Sequence, residues 1–374
     1  MAIDKVVSAS ITDSAITDAK LSFNANQFRN IIINGDMSVA QRGTSASSVT
    51  GTTATCDRWR FTPSSAGTWT ISQSTTVPTG QGFATSFKAD CTTANGSLSA
   101  GSILRFSQFI EGQNLQYLKK GTSSAESLTI SFWVRSAKTG TYILNIKDRD
   151  NSRIFSQSYT ISSADTWEKK TITFAGDTTG AFDNDNDWSL EVHFYLAAGS
   201  TYTSGTLATA WESNTTANLA VGQVNLADST DNDWYVTGIQ VEAGTSASDF
   251  EHIPVDVNLQ RCRRYCQALV NTGQTYEPIG IGYAYSSSSF HVNVFLNPIM
   301  RAAPSISFAS GTYYYVQQGG GDVGSNSLTL NQSSPQSFLI TVGGGTYSSA
   351  GTSGICFANN SSASVLFLSE FFSG

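Results

Sequence analysis

Residues 128–135 read Leu-Thr-Ile-Ser-Phe-Trp-Val-Arg, so that Leu128, Ile130, Phe132 and Val134 fall on one side of an extended chain and Thr129, Ser131, Trp133 and Arg135 on the other. Strict period-two alternation marks a strand with one face in a core and the other turned outward. The pattern recurs in Tyr142, Leu144 and Ile146. It recurs again where Trp188, Leu190, Val192, Phe194 and Leu196 oppose Ser189, Glu191, His193 and Tyr195, and in the stripe Tyr235, Thr237, Ile239, Val241. Loops of Gly, Asn, Asp, Ser and Thr separate these segments, with no helical periodicity between them. Such a series predicts an all-β, antiparallel β-sandwich, a jelly roll, over residues 28–252.

The flanks read differently. Val255, Leu259, Cys262, Cys266 and Leu269 share one side of a helix of pitch 3.6, which predicts a linker helix from Val255 to Val270 inside a linker of residues 253–273. Residues 274–374 carry Arg301 as their one basic residue and Glu277, Asp322 and Glu370 as their acidic ones. Strand candidates there are His291 to Leu296, Tyr313 to Gln317, Ser327 to Leu330, Phe338 to Val342 and Val365 to Phe371. So uncharged a module predicts a β-rich tip that trimerises or otherwise self-associates, with apolar faces buried between chains. Residues 1–27 place Ile11, Ile16 and Leu21 five apart, a spacing neither helical nor strand-like, and are expected to form a stalk or docking arm.

Composition narrows the function. The 374 residues fit at least two modules. A net charge of −7 and no basic stripe argue against a nucleic-acid partner and against an anionic membrane. No run of about 18 apolar residues exists to span a bilayer, and the start Met-Ala-Ile-Asp-Lys lacks a signal-peptide core, so membrane insertion is not expected and synthesis is expected in a cytoplasm. Cys56, Cys91, Cys262, Cys266 and Cys356 are odd in number and scattered, which predicts free buried thiols.

Three groups of residues resemble the side-fibre and receptor-binding tail proteins of tailed bacteriophages. One is Ile11-Thr-Asp-Ser-Ala-Ile-Thr-Asp-Ala-Lys-Leu21. The second is Asn34-Gly-Asp36, Gln41-Arg-Gly43 and Asp57-Arg-Trp59, answered downstream by Gln240-Val-Glu-Ala-Gly244 and Phe250-Glu251. The third is Arg261-Cys-Arg-Arg-Tyr265 followed by Asn297-Pro-Ile-Met-Arg-Ala-Ala-Pro304. The resemblance implies a homotrimeric tail fibre located in the virion, its sandwich similar to a carbohydrate-binding module. It also implies that residues 1–27 dock on other virion proteins and that the outer part binds host-surface carbohydrate. A capsid-decorating or tail-adaptor protein without a receptor, and a glycan-depolymerising enzyme, are the alternatives.

No catalytic residues are assigned. Glycan cleavage takes two carboxylates across one bond, and the densest acidic stretch, Asp183-Asn-Asp-Asn-Asp187, reads as a loop tip. Asp183, Asp185 and Asp187 are the candidate ligands for a structural Ca²⁺, the one cofactor considered. An EF-hand is excluded because Trp188 stands where Gly is required and Phe194 where the bidentate Glu belongs. Cys262 and Cys266 lack further metal ligands. Sugar binding asks for exposed rings beside hydroxyl and amide groups. The candidate ligand-binding residues are Trp133, His193 and Tyr195 on the outward faces of the sandwich, Tyr202 and Trp211 in a long polar connection, and Tyr313, Tyr314 and Tyr347 in the tip.

Overall fold

The computed structural model describes residues 28–273 and 275–370. The expected stalk, residues 1–27, lies outside them. Twelve strands build the sandwich: β1 (Ser45–Val49), β2 (Arg60–Ser64), β3 (Thr68–Ser74), β4 (Ser86–Thr93), β5 (Ile103–Glu111), β6 (Leu128–Ser136), β7 (Gly140–Asp148), β8 (Arg153–Ile161), β9 (Glu168–Phe174), β10 (Trp188–Ala198), β11 (Glu212–Ser213) and β12 (Asp233–Ala243). They form two six-stranded sheets, ordered β1-β3-β4-β12-β6-β9 and β11-β8-β7-β10-β5-β2, in which all pairings are antiparallel. The protein is all-β in class, with a jelly-roll-like sandwich as its larger part.

The alternating stripes meet in the middle. Ile130, Phe132 and Val134 of β6, with Trp234 and Val236 of β12, close against Phe106 of β5 and Val192 and Phe194 of β10, all fully buried. Trp59 stacks on Phe106 at 4.6 Å, and Phe87 lies 4.2 Å from the same ring. Rings so packed contribute beyond the area they bury.

Two expected stripes are broken by bulges. Register slips between Thr237 and Gln240, where Gly238 has φ +62°. An extra residue in one strand swaps faces beyond it, so Tyr235 and Thr237 point outward whereas Ile239 and Val241 point into the core. A second slip, between Trp188 and Leu190, turns Trp188 onto the outer face beside Phe109 at 5.9 Å.

A single helical turn, α1 (Ser200–Thr203), opens the connection from β10 to β12, and the helix α2 (Val255–Arg263) follows the sandwich. The helix is shorter than expected. Cys266–Val270 is a strand, β13, paired with β22 (Val365–Leu368), which also pairs with β16 (Ser305–Phe308). The four-residue spacing of Cys262 and Cys266 therefore crosses a helix end. All five cysteines are free and buried.

The other C-terminal strands are β14 (Glu277–Ser286), β15 (Ser289–Phe295), β17 (Tyr314–Gln318), β18 (Gly321–Ser325), β19 (Ser327–Asn331), β20 (Ser337–Gly343) and β21 (Ser353–Ala358), in a sheet ordered β18-β17-β21-β14-β15-β20-β19. The tip was expected to bury its apolar residues between chains; instead Phe290, Val292, Val316, Ile340, Val342 and Phe367 form a core within one chain. The opposite face of that sheet is open: Ile281 is 72% exposed, its cross-strand partner Ile355 45%, and Phe295 77%.

Candidate functional site

The bulge at Gly238 makes the floor of a cleft on the outer face of the first sheet. A Cβ at residue 238 would lie 2.5 Å from the ring of Phe83, so only glycine lets that ring rest on the strand. Thr237 Oγ1 donates to Thr85 O at 2.7 Å and ties the Phe83 loop to β12. Gln240 places the other wall: its Nε2 donates to Asp249 O at 3.2 Å and its Oε1 accepts from Glu251 N at 2.8 Å. Phe83, Phe250 and His252 then pack as a trio of rings 4.9 to 5.3 Å apart.

Between these walls, β6 turns Trp133 and Ser131 outward, with Thr237 beside Trp133 on β12 and Lys169 beside it on β9. The cleft measures about 300 Å³ and is lined by Gln81, Phe83, Ser131, Trp133, Lys169, Asp249, Phe250 and His252. Trp133 is half-exposed, and one row further along the sheet Tyr235 lies under Lys88 and Arg135, 5.6 and 4.8 Å from the ring. A half-buried indole on a rigid sheet, with ammonium, amide and hydroxyl groups at its edge, offers a platform for a ring with apolar faces and polar edges.

Of the residues expected to bind ligand, Trp133 alone lies in this cleft. His193 and Tyr195 are each 1% exposed on the outward face of the second sheet. They were expected to be free, but residues 199–232 fold over Tyr195, packing Ala208, Leu219 and Ala220 on it and on Ile143, and His193 is enclosed among Glu191, Phe109 and Tyr195. Burial, with Arg105 nearby, pushes the His193 imidazole down to about 4. Tyr202 is half-buried against the same cluster. Trp211 donates its Nε1 to Ala175 O at 2.7 Å and packs on the core as part of the cover.

In the tip, Tyr314 is fully buried with its hydroxyl given to Ala309 O and Ser364 O, Tyr347 is 4% exposed, and Tyr313 is half-buried against the same core. Glycines beside these tyrosines suggested display; the rings are packed instead. Outward rings there include Tyr283, Tyr285 and His291, with Tyr285 stacked on His291 at 4.5 Å. Asp183, Asp185 and Asp187 are exposed at a loop whose carboxylates cap it locally: Asp185 Oδ1 accepts Asp187 N and Asp187 Oδ1 accepts Trp188 N, each at 2.9 Å. They do not converge, and no group of three His, Cys, Asp or Glu among the described residues is placed to hold a metal ion.

The motifs behind the fibre resemblance mostly gather at the seam between sandwich and tip. Asn34 donates to Val39 O and Asp57 O, Trp59 donates to Asn34 O, and Gln41 bridges Asp57 and Cys266 O. Arg58 pairs with Glu370 and lies 3.4 Å from the Tyr265 ring centre. Arg264 grips Glu111 through two bonds of 2.8 and 2.7 Å, and against the cost of burial these bonds and the Tyr265 hydroxyl hold that carboxyl below its ordinary range. A cavity of about 500 Å³ lies along this seam. Its walls Arg58 and Arg264 already serve Glu370 and Glu111, so it belongs to the joint between the modules.

Phe83, Lys169, Asp249 and His252 were not anticipated. Their signals were faint: Phe83 sits in a glycine-flanked loop and Lys169 on an edge strand. Gln240 and Phe250 were noticed as parts of a motif, without a role in a cleft.

No family profile matches the chain, and no curated protein matches it. Solved structures similar to it include carbohydrate-binding modules and a phage tailspike domain. The enzymatically active domain of tailspike protein 4 of Bacteriophage CBA120 is 13% identical over 57% of this chain, with a TM-score of 0.31; the chain spans 21% of that protein's length. A family 11 carbohydrate-binding module from Clostridium thermocellum, in complex with a mixed-linked tetrasaccharide, is 13% identical over 55% of this chain and 97% of its own, with a TM-score of 0.28. The N-terminal endo-1,4-β-D-xylanase 10B of the same organism, complexed with xylohexaose, is 10% identical over 59% of this chain and 29% of its own, with a TM-score of 0.29.

Proposed function

We propose that the protein binds carbohydrate in the Trp133 cleft without cleaving it, and does so as a fibre protein of a phage virion that recognises a host-surface glycan. The observation that carries the binding is the half-exposed Trp133 ring on a rigid strand, walled by Phe83, Phe250 and His252 and edged by Ser131, Gln81 and Lys169. The cleft's lining holds one carboxylate, Asp249, where glycoside hydrolysis ordinarily takes two. The fibre context rests on the motifs at 34–59, 240–251 and 261–304. Titration of the whole chain against an array of bacterial surface oligosaccharides tests the reading: binding by the parent and its weakening by about tenfold in Trp133→Ala is the expected result, and no binding to any member removes it.

The same reading makes the assembly a homotrimer joined through the tip. Ile281, Ile355, Tyr283 and Phe295 form an apolar strip on the open face of the β14–β15–β21 sheet. Apolar patches of this kind mark association surfaces, and a threefold set of weak sites would gain avidity through effective concentration. A solution mass of about 120 kDa, three times the chain's 39.9 kDa, is expected, falling to that of one chain in Ile281→Asp/Phe295→Asp. A monomeric parent would end this part of the proposal.

A further inference from the structure

The lysines among the described residues are almost all spoken for. Lys88 meets Asp90, Lys119 meets Glu126, Lys120 meets Asp148 and Asp177, Lys138 meets Asp228, Lys147 meets Glu191 and Lys170 meets Glu168. Among the described residues, Lys169 is the one lysine with no carboxylate within 4.0 Å, and it stands in the cleft. Its place there is fixed by the ladder, because Lys169 is the direct cross-strand partner of Trp133. Side chains so paired start about 5 Å apart at Cβ, within reach of the same ring-sized ligand.

Asp249, the cleft's carboxylate, belongs to the opposite wall. Its carbonyl is held by Gln240 on β12 and by Arg29, and β6 lies between β12 and β9. Two strand spacings, about 10 Å, therefore separate the cationic side of Trp133 from the segment that carries the anionic one. A ligand lying across the indole meets an unpaired ammonium at one edge, and amide and hydroxyl groups elsewhere.

Resting on the glycan reading of this cleft, we infer that its ligand is an acidic saccharide whose carboxylate pairs with Lys169 while the sugar ring lies on Trp133. Calorimetric titration of the full chain with a panel of uronate-containing oligosaccharides, each matched with its carboxyl-reduced neutral form, tests this. The acid member of a pair should bind about threefold to fivefold more tightly at low salt, with the preference shrinking as salt rises. Lys169→Gln should bring the acid-to-neutral ratio to one, and Lys169→Arg should keep it. Acid and neutral forms binding alike, with Trp133→Ala weakening both about tenfold, would overturn the acidic-sugar inference and leave the glycan reading standing. An acid preference untouched by Lys169→Gln would overturn the role of Lys169. No binding by the parent to any pair would overturn both readings together.

Discussion

On the first sheet, the outward face is covered only in part: Thr237 and Gln240 of β12 are buried under the Phe83 and Asp249 loops, while Trp133 of β6 stands half-buried in a cleft beside them. On the second, the outward residues of β10, His193 and Tyr195, are sealed. Both faces carry aromatic and polar side chains at alternate positions, so alternation does not separate them. What differs is the long connection from β10 to β12. It lays Ala208, Leu219 and Ala220 on Tyr195 and Ile143, and its backbone is pinned where Ser156 Oγ donates to Leu219 O at 2.9 Å and Ser156 N to Ala208 O at 2.7 Å. A face becomes a binding surface or a second core according to what the loops do with it.

The largest expected effect lies beside one end of that cover, under Trp211. Lys120 Nζ meets Asp148 and Asp177 at 2.5 and 3.1 Å and donates to Thr179 O and Gly180 O, while the Trp211 ring lies 5.4 Å away. Lys120→Ala leaves the buried Asp148 without a cation, while Asp177 keeps Arg153, and should cost about 3 kcal/mol in denaturant unfolding. The four oxygens left behind suit a hard cation, so millimolar Ca²⁺ should restore part of the loss in the variant and do nothing for the parent. A cost below about 1 kcal/mol would mean that this cluster adds little to the fold.

Acid tests the sealed face next. The ordinary value for histidine is 6.5 and burial lowers that of His193 to about 4, so the unfolded chain takes up the proton first as pH falls. The stabilisation is therefore complete above pH 6.5 and is lost between 6.5 and about 4, to the extent of roughly 3 kcal/mol. His193→Gln should flatten that part of the stability profile; an unchanged slope would show that His193 is reached by water. Trp211→Ala should then cost about 2 kcal/mol, less than a fully buried tryptophan because the ring is only partly buried, and should leave glycan binding in the Trp133 cleft as it was.

The sequence showed much of this fold and less of its site, for physical reasons. Alternation in β6, β7 and β10 reveals inward residues because every strand of a sandwich must bury one face. Bulges escape such a reading, since Gly238 shifts the stripe of Tyr235, Thr237, Ile239 and Val241 by a single residue and the sequence marks it only with a glycine. The helix was overextended because Cys262 and Cys266 are spaced four apart, which satisfies a helix, while Cys266 in fact pairs with Leu368, a hundred residues away in the chain. Exposure is the hardest quantity to read, being set by contacts distant in sequence. Tyr314 and Tyr347 look like display residues beside their glycines and prove to be core, whereas Lys169 looks ordinary until the other described lysines are found paired.

The smallest expected change in stability belongs to the residue with the largest expected effect on binding, and the contrast with Trp211 sharpens the comparison of the two faces. Trp133→Ala removes a ring whose outward side meets solvent and which no described hydrogen bond holds, so unfolding free energy should move by no more than about 0.5–1 kcal/mol. Stacking on the indole is worth about 1.5 kcal/mol, so affinity for a bound sugar should fall about tenfold. Trp211→Ala should show the reverse pattern, destabilised and still binding. Measured side by side by thermal unfolding and titration, the two tryptophans separate a platform from a cover. If both variants lost stability equally and neither lost affinity, Trp133 would be one more packed ring, and the open face of the first sheet would have no claim to be the binding surface.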